Sequence, residues 1–141
     1  MYKHILVPLD NSPVDEAILQ HIRLLAKLTG ARLTLIHVAD GFVARNQQRL
    51  KLDESEEMRD DRAYLDRRVA ELATEGFQVE SILECGEPAD RILALAEEQN
   101  CDLIAMSTHG HGFFSDLVLG SVAESVIRQA PCPVLVVRMG A

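Results

Sequence analysis

No run of apolar residues in this sequence approaches the roughly 20 that a bilayer-spanning helix needs, which argues against a membrane protein. Basic residues are also short: 14 Lys and Arg stand against 22 Asp and Glu, giving a net charge of −8 and a pI near 5.0. General affinity for nucleic acid or anionic lipid needs basic surface, so neither is expected as a partner. There are three cysteines, Cys85, Cys101 and Cys132, an odd number without CxxC spacing. A disulfide framework and a structural zinc site are therefore not expected. Cys101 and Cys132 stand beside predicted buried strands, where a free thiol acts as a small hydrophobe, and a reducing, cytoplasmic setting is expected. The opening MYKHILVPLD lacks the basic start, long apolar stretch and cleavage site of a signal peptide, and reads as a strand from the outset. Tryptophan is absent and aromatics are few, but 48% hydrophobic and 26% charged residues are ordinary for a globular chain.

What is present is a regular alternation of strand and helix. Apolar runs at 3–9, 32–38, 77–84, 102–107 and 133–138 predict five strands. Between the first two, SPVDEAILQHIRLLAKLTG predicts a helix with Val14, Ala17, Ile18, His21, Leu25 and Leu28 on its inner face. Ser12 suits its cap, Pro13 its first position, Asp15 the positive end of its dipole and Gly30 its stop. A second helix is predicted over 56–75, with Met58, Leu65, Val69, Leu72 and Ala73 recurring. A third opens at Pro88, with Ala89, Ile92, Leu93 and Ala96 inward, and a fourth covers 121–130. Only 39–57 lacks a clean period. This order implies right-handed crossovers and a parallel sheet covered on both faces. The expectation is one doubly wound α/β domain over 1–141, with a five-stranded parallel sheet and helices on both faces.

In such sheets ligands bind beyond the carboxyl ends of the strands, where the strand order reverses. Those ends lie here at 8–10, 38–40, 84–86 and 106–112. The last opens the segment MSTHGHGFFSDLVLGSV, in which Gly110 and Gly120-Ser121 flank an apolar middle. Glycine lets a phosphate approach the backbone, and a helix start offers free N–H groups and partial positive charge. The same residues also fit a plain turn, because Ser121 and Glu124 have the spacing of a capping box. Neither a GxGxxG dinucleotide fingerprint nor a GK[ST] loop is present. Spacing alone leaves both readings open.

The pattern Ser107-x-x-Gly110-x9-Gly120-Ser121, with ILVPLDNS near the start and APCPVLVVR at the end, resembles the universal stress protein family. That family's nucleotide-binding pattern is G-x-x-G-x9-G-[ST], and the resemblance runs the length of the chain. It implies a Rossmann-like fold of the adenine-nucleotide-binding type, with ATP or AMP as ligand and Mg2+ carried by the phosphates. By the same resemblance, Pro8 and Asp10 lie at the end of the first strand, with Asp10 placed for the ribose hydroxyls. Val38 offers main-chain contacts to adenine. Met106, Ser107, His109 and Gly110 surround the ribose and first phosphate, while Gly120, Ser121 and Val122 hold the outer phosphates. Ala123 stands where some members carry a hydroxyl. A homodimer through the last strand, 133–138, is also implied, and that apolar strand is expected at a sheet edge, which invites pairing.

Two positions depart from the pattern. Ser107 replaces its first glycine and adds a Cβ and a hydroxyl. His111, expected among the nucleotide-binding residues near the triphosphate, stands where many relatives have Arg or Lys, so a permanent cation there is replaced by a group that ordinarily titrates near pH 6.5. His109 and His111 can supply two metal ligands, but no third His or Cys is near in sequence, and no metal site is assigned to them. His21 and His37 read as structural, Phe113 and Phe114 as covering a core edge, and Arg45, Arg49 and Lys51 as a solvated face.

No nucleophile elbow, HExxH or hydrolytic carboxylate pair occurs, so no catalytic residue is assigned, and slow ATP hydrolysis is the most expected. The main expectation is a nucleotide-binding regulatory stress-response protein whose surface an unidentified protein partner reads. A weak ATPase on the same fold, or a nucleotide-free dimeric interaction module with Ser107 closing the pocket, are the alternatives.

Overall fold

The computed structural model describes residues 1–40, 56–108 and 120–138. The elements are β1 (His4–Pro8), α1 (Val14–Thr29), β2 (Arg32–Asp40), α2 (Glu56–Thr74), β3 (Val79–Gly86), α3 (Pro88–Glu98), β4 (Leu103–Ser107), α4 (Ser121–Gln129) and β5 (Val134–Val137). The strands form one parallel sheet in the order β3-β2-β1-β4-β5. Its register sets Ile5 beside both Leu33 and Leu103, and Leu6 beside Thr34 and Ile104.

Alternation along the strands feeds two cores. Ile5 and Val7, Leu33 and Leu35, and Leu103 and Ala105 point to one face, where α1 and α2 bring Ile18, Ile22, Leu65 and Leu72. Leu6, Ile36, Ile104 and Met106 point to the other, against Ile92 and Leu95 of α3 and Ala123 and Val126 of α4. Burial on both faces is why the central strands read as unbroken apolar runs. The fold is the expected α/β architecture, with helices on both faces of a five-stranded parallel sheet.

The inner face of α1 differs from the expected one. Its buried residues are Asp15, Ile18, Leu19, Ile22 and Ala26, whereas His21 is exposed and Leu28 is 85% exposed. On α2, Ala73 is likewise exposed, and Asp61, Tyr64, Leu65 and Leu72 are buried. Ser12 does not cap α1; its hydroxyl donates to Asp10 at 3.2 Å, and Pro13 occupies the cap position without a side-chain bond. Gly30 ends the helix as expected, at φ 74°, with its N–H donating to the Ala26 carbonyl at 2.8 Å.

At the amino end of the sheet a buried polar cluster joins three elements. His4 Nε2 lies 2.7 Å from Thr34 Oγ1, which reaches Glu80 and Gln99, and His4 Nδ1 faces the Gln99 carbonyl at 3.3 Å. Burial, with Arg32 nearby, holds the His4 imidazole below its ordinary range. Asp102 accepts the backbone N–H groups of Lys3 and His4 at 2.8 and 3.0 Å. Those bonds outweigh partial desolvation and lower its carboxyl. The three cysteines are free thiols, and burial pushes Cys101 up to about 11.

Candidate functional site

The strand order reverses between β1 and β4. After β1 the chain turns to α1 on one face, and after β4 to α4 on the other, leaving a crevice at the carboxyl ends. A cavity of about 200 Å³ lies there. Pro8, Leu9 and Asp10 line it from the end of β1, Ile36, His37 and Val38 from β2, and Met106 and Ser107 from β4. Pro88 and Ile92 of α3 and Val122 and Ala123 of α4 close the remaining side. Among the described residues the wall is largely aliphatic, with Asp10, His37 and Ser107 as its polar side chains.

Asp10 is carried by a turn that is tied down from below. The Asp15 carboxylate, fully buried at the start of α1, accepts the backbone N–H groups of Asp10 and Asn11, each at 2.9 Å, and of Ser12 at 3.4 Å. Its fourth partner is the Tyr64 hydroxyl of α2, which donates at 2.5 Å. Burial, together with that bond to a carboxylate, raises the Tyr64 hydroxyl well above its usual range. Arg68 donates to the same hydroxyl at 3.2 Å and pairs with Glu16 and Glu71, so α1 and α2 are stitched together below the turn. A buried carboxylate is tolerable here because hydrogen bonds surround it.

The opposite rim is the start of α4. Gly120 is its cap residue, at φ 83° and ψ 149°, a backbone state essentially reserved for glycine. Ser121 is therefore the first helical residue, exposed, and among the described residues no side chain caps the helix. Glu124 donates its N–H to the Gly120 carbonyl at 3.0 Å and accepts from Arg128 with its carboxylate. The capping box that Ser121 and Glu124 could have formed is absent, because Ser121 lies one position inside the helix. Among the described residues no side chain accepts from the first N–H groups of α4, which lie beside Val122 and Ala123 in the cavity wall.

The universal stress protein family's sequence profile matches residues 1–138. The chain belongs to the universal stress protein family. Universal stress protein MJ0577 of Methanocaldococcus jannaschii is 32% identical to it, over 98% of this chain and 96% of its own. The solved structure of MJ0577 superposes with a TM-score of 0.84, covering 100% of this chain and 99% of that one. A universal stress protein from Archaeoglobus fulgidus, solved in complex with dAMP, superposes at 0.72 with 26% identity, covering 96% and 98%.

Within this universal stress protein, Pro8, Asp10, Val38, Met106, Ser107 and Val122 come together around one cavity. Gly120 and Ser121 stand at its α4 rim. His109, Gly110 and His111 lie outside the described residues, as do Phe113, Phe114, Arg45, Arg49 and Lys51. Sequence reasoning missed Leu9, Ile36, Pro88 and Ile92 in the wall, and Asn11, Asp15, Asp61 and Tyr64 behind it. His37, read as structural, does make local bonds, yet it also lines the cavity. Its place in β2, beside Val38 at a strand end, was the available signal. Among the described residues no helix is long and apolar enough to cross a membrane, and no cluster of three or more metal-ligating side chains occurs.

Proposed function

We propose that this protein is an adenine-nucleotide-binding regulatory protein of the stress response, with AMP or ATP in the switch-point cavity. The observation that carries the reading is the start of α4, with a glycine at its cap, Gly120 at φ 83°, on the rim of an aliphatic cavity. Helix starts with free N–H groups suit phosphate, and an apolar slot suits a base. At about 200 Å³ the cavity is smaller than the roughly 300–1,000 Å³ of a site enclosing a drug-sized ligand. It takes the base end, near the Val38 backbone, and leaves the phosphates outside over Gly120, Ser121 and Val122. Asp10, exposed at the mouth, then faces the ribose hydroxyls, with Pro8, Met106 and Ser107 beneath the sugar. The dAMP held by the Archaeoglobus fulgidus relative is a ligand of the same class.

On this reading Mg2+ arrives with the phosphates, binding rather than turnover is the activity, and ATP hydrolysis is slow at most. The protein works as a cytoplasmic homodimer joined through β5, and a protein partner distinguishes its liganded and empty states. Such discrimination requires that the partner bind the two states with different free energies. The test is to denature freshly purified protein and identify released nucleotide by mass spectrometry. About one AMP or ATP per chain is expected. Protein that releases none and takes up no added AMP or ATP with Mg2+ refutes the reading in favour of a nucleotide-free dimeric module.

A further inference from the structure

Both ring nitrogens of His37 face oxygen. Nδ1 lies 2.8 Å from the Leu9 carbonyl, and Nε2 lies 3.2 Å from Asp61 Oδ2. A carbonyl only accepts, so Nδ1 carries hydrogen and donates to it, and Nε2 shares a proton with the Asp61 carboxyl group. The other oxygen of Asp61 accepts from Asn11 Nδ2 at 2.8 Å. Asn11 holds a left-handed backbone, φ 57°, which asparagine tolerates better than most residues. The bonds close a ring that runs Leu9, Asp10, Asn11, Asp61, His37 and back to Leu9. Asp10 is at the middle of its covalent arc, on the cavity mouth.

We propose that His37 and Asp61 are positioning residues, a hydrogen-bonded pair between β2 and α2 that fixes Asp10 by gripping the residues on either side of it. Both side chains are nearly buried, 13% and 10% exposed, so water competes little for their bonds. The Asp15 carboxylate holds the backbone of the same turn from beneath, and the ring fixes its direction from the side. The consequence for affinity rests on the nucleotide reading above, whereas the grip on the turn does not.

The test compares Asp61→Ala, Asp61→Asn, His37→Ala and the double alanine variant. It reads two quantities: hydrogen exchange at the Asp10 and Asn11 amides in nucleotide-free protein, and AMP affinity by calorimetry. Asp61→Ala should speed exchange at both amides and weaken AMP about tenfold. Asp61→Asn should recover most of both, because the amide oxygen accepts from Asn11 and the amide nitrogen donates to Nε2 of a neutral imidazole. The double variant should be no worse than either single, since one ring is broken only once. An asparagine variant as impaired as the alanine variant overturns the proposal, and so does an alanine variant with unchanged exchange. Should Asp61→Ala not fold, Asn11→Gly opens the same ring at an exposed residue while keeping the left-handed backbone, and the same faster exchange is expected. If the wild type binds no nucleotide, the functional reading fails, and exchange alone still decides for or against the ring.

Discussion

Tyr64 donates its hydroxyl to Asp15 at 2.5 Å, so a side chain of α2 completes the anchorage of a turn that belongs to α1. Asp15→Ala would leave the Asp10, Asn11 and Ser12 amides and the Tyr64 hydroxyl without their acceptor. An unsatisfied donor costs about 1–3 kcal/mol when buried, as the Tyr64 hydroxyl is, and less at the half-buried amides of the turn, with overlap among neighbours. We expect a loss of about 3–5 kcal/mol in urea unfolding, against about 1–2 kcal/mol for Tyr64→Phe, which removes the bonds to Asp15 and from Arg68 but leaves Asp15 its three amide donors and Arg68 its two carboxylate partners. Equal effects from the two variants would show that the carboxylate is not the organising group.

The amino-end cluster predicts an acid limb in stability. An unfolded histidine takes up its proton near pH 6.5, while the buried His4 resists it to lower pH. Stability is therefore complete above pH 6.5 and declines as pH falls below it. Asp102, lowered in the folded chain, adds a second decline, beginning below its unfolded value and continuing through the folded one. Urea midpoints measured at pH 7.5 and pH 5 should differ in the wild type, and His4→Asn should remove most of that difference.

Gly120→Ala places a Cβ on a backbone at φ 83° and ψ 149°. Strain of this kind costs about 1–3 kcal/mol. Thermal unfolding should register the loss, and AMP affinity should fall as the start of α4 moves off the rim. An unchanged melting temperature would mean that α4 begins with a different backbone.

The sheet ends at β5, which pairs with β4 alone among the described strands. Pairing with a second chain would satisfy its open edge and cover Val134–Val137. Val136→Asp should convert a dimer to monomer in sedimentation while far-ultraviolet circular dichroism is retained. A dimer that survives the substitution places the interface elsewhere.

The central strands were legible because burial on both faces leaves a simple mark, an unbroken apolar run such as LIAM, and the edge run VLVV carries the same mark although it is only half-buried. The inner face of α1 was not. Its apolar residues fit two helical stripes, and the true one includes Asp15, a carboxylate that local patterning assigns to the surface or to the dipole. What buries Asp15 is a set of donors from the preceding turn and from Tyr64, far along the chain, and no periodicity records that. The same holds for His37 and Asp61, brought together only by α2 packing on the sheet. Around the cavity, Pro8, Val38 and Met106 were legible from strand ends alone. Pro88 and Ile92 required knowing that α3 crosses over the same crevice. At α4, the capping-box spacing was a true feature of the sequence, but the helix begins one residue too late to leave Ser121 at the cap.

The most direct test of the nucleotide site is to titrate the protein with AMP and then ATP while following backbone amide resonances. We predict saturable shifts concentrated at Asp10, Val38, Met106, Ser107, Ser121 and Val122, with ATP extending them along the first turn of α4. Absence of saturable shifts, or shifts confined to the far end of the sheet around Arg23 and Gln78, would contradict it.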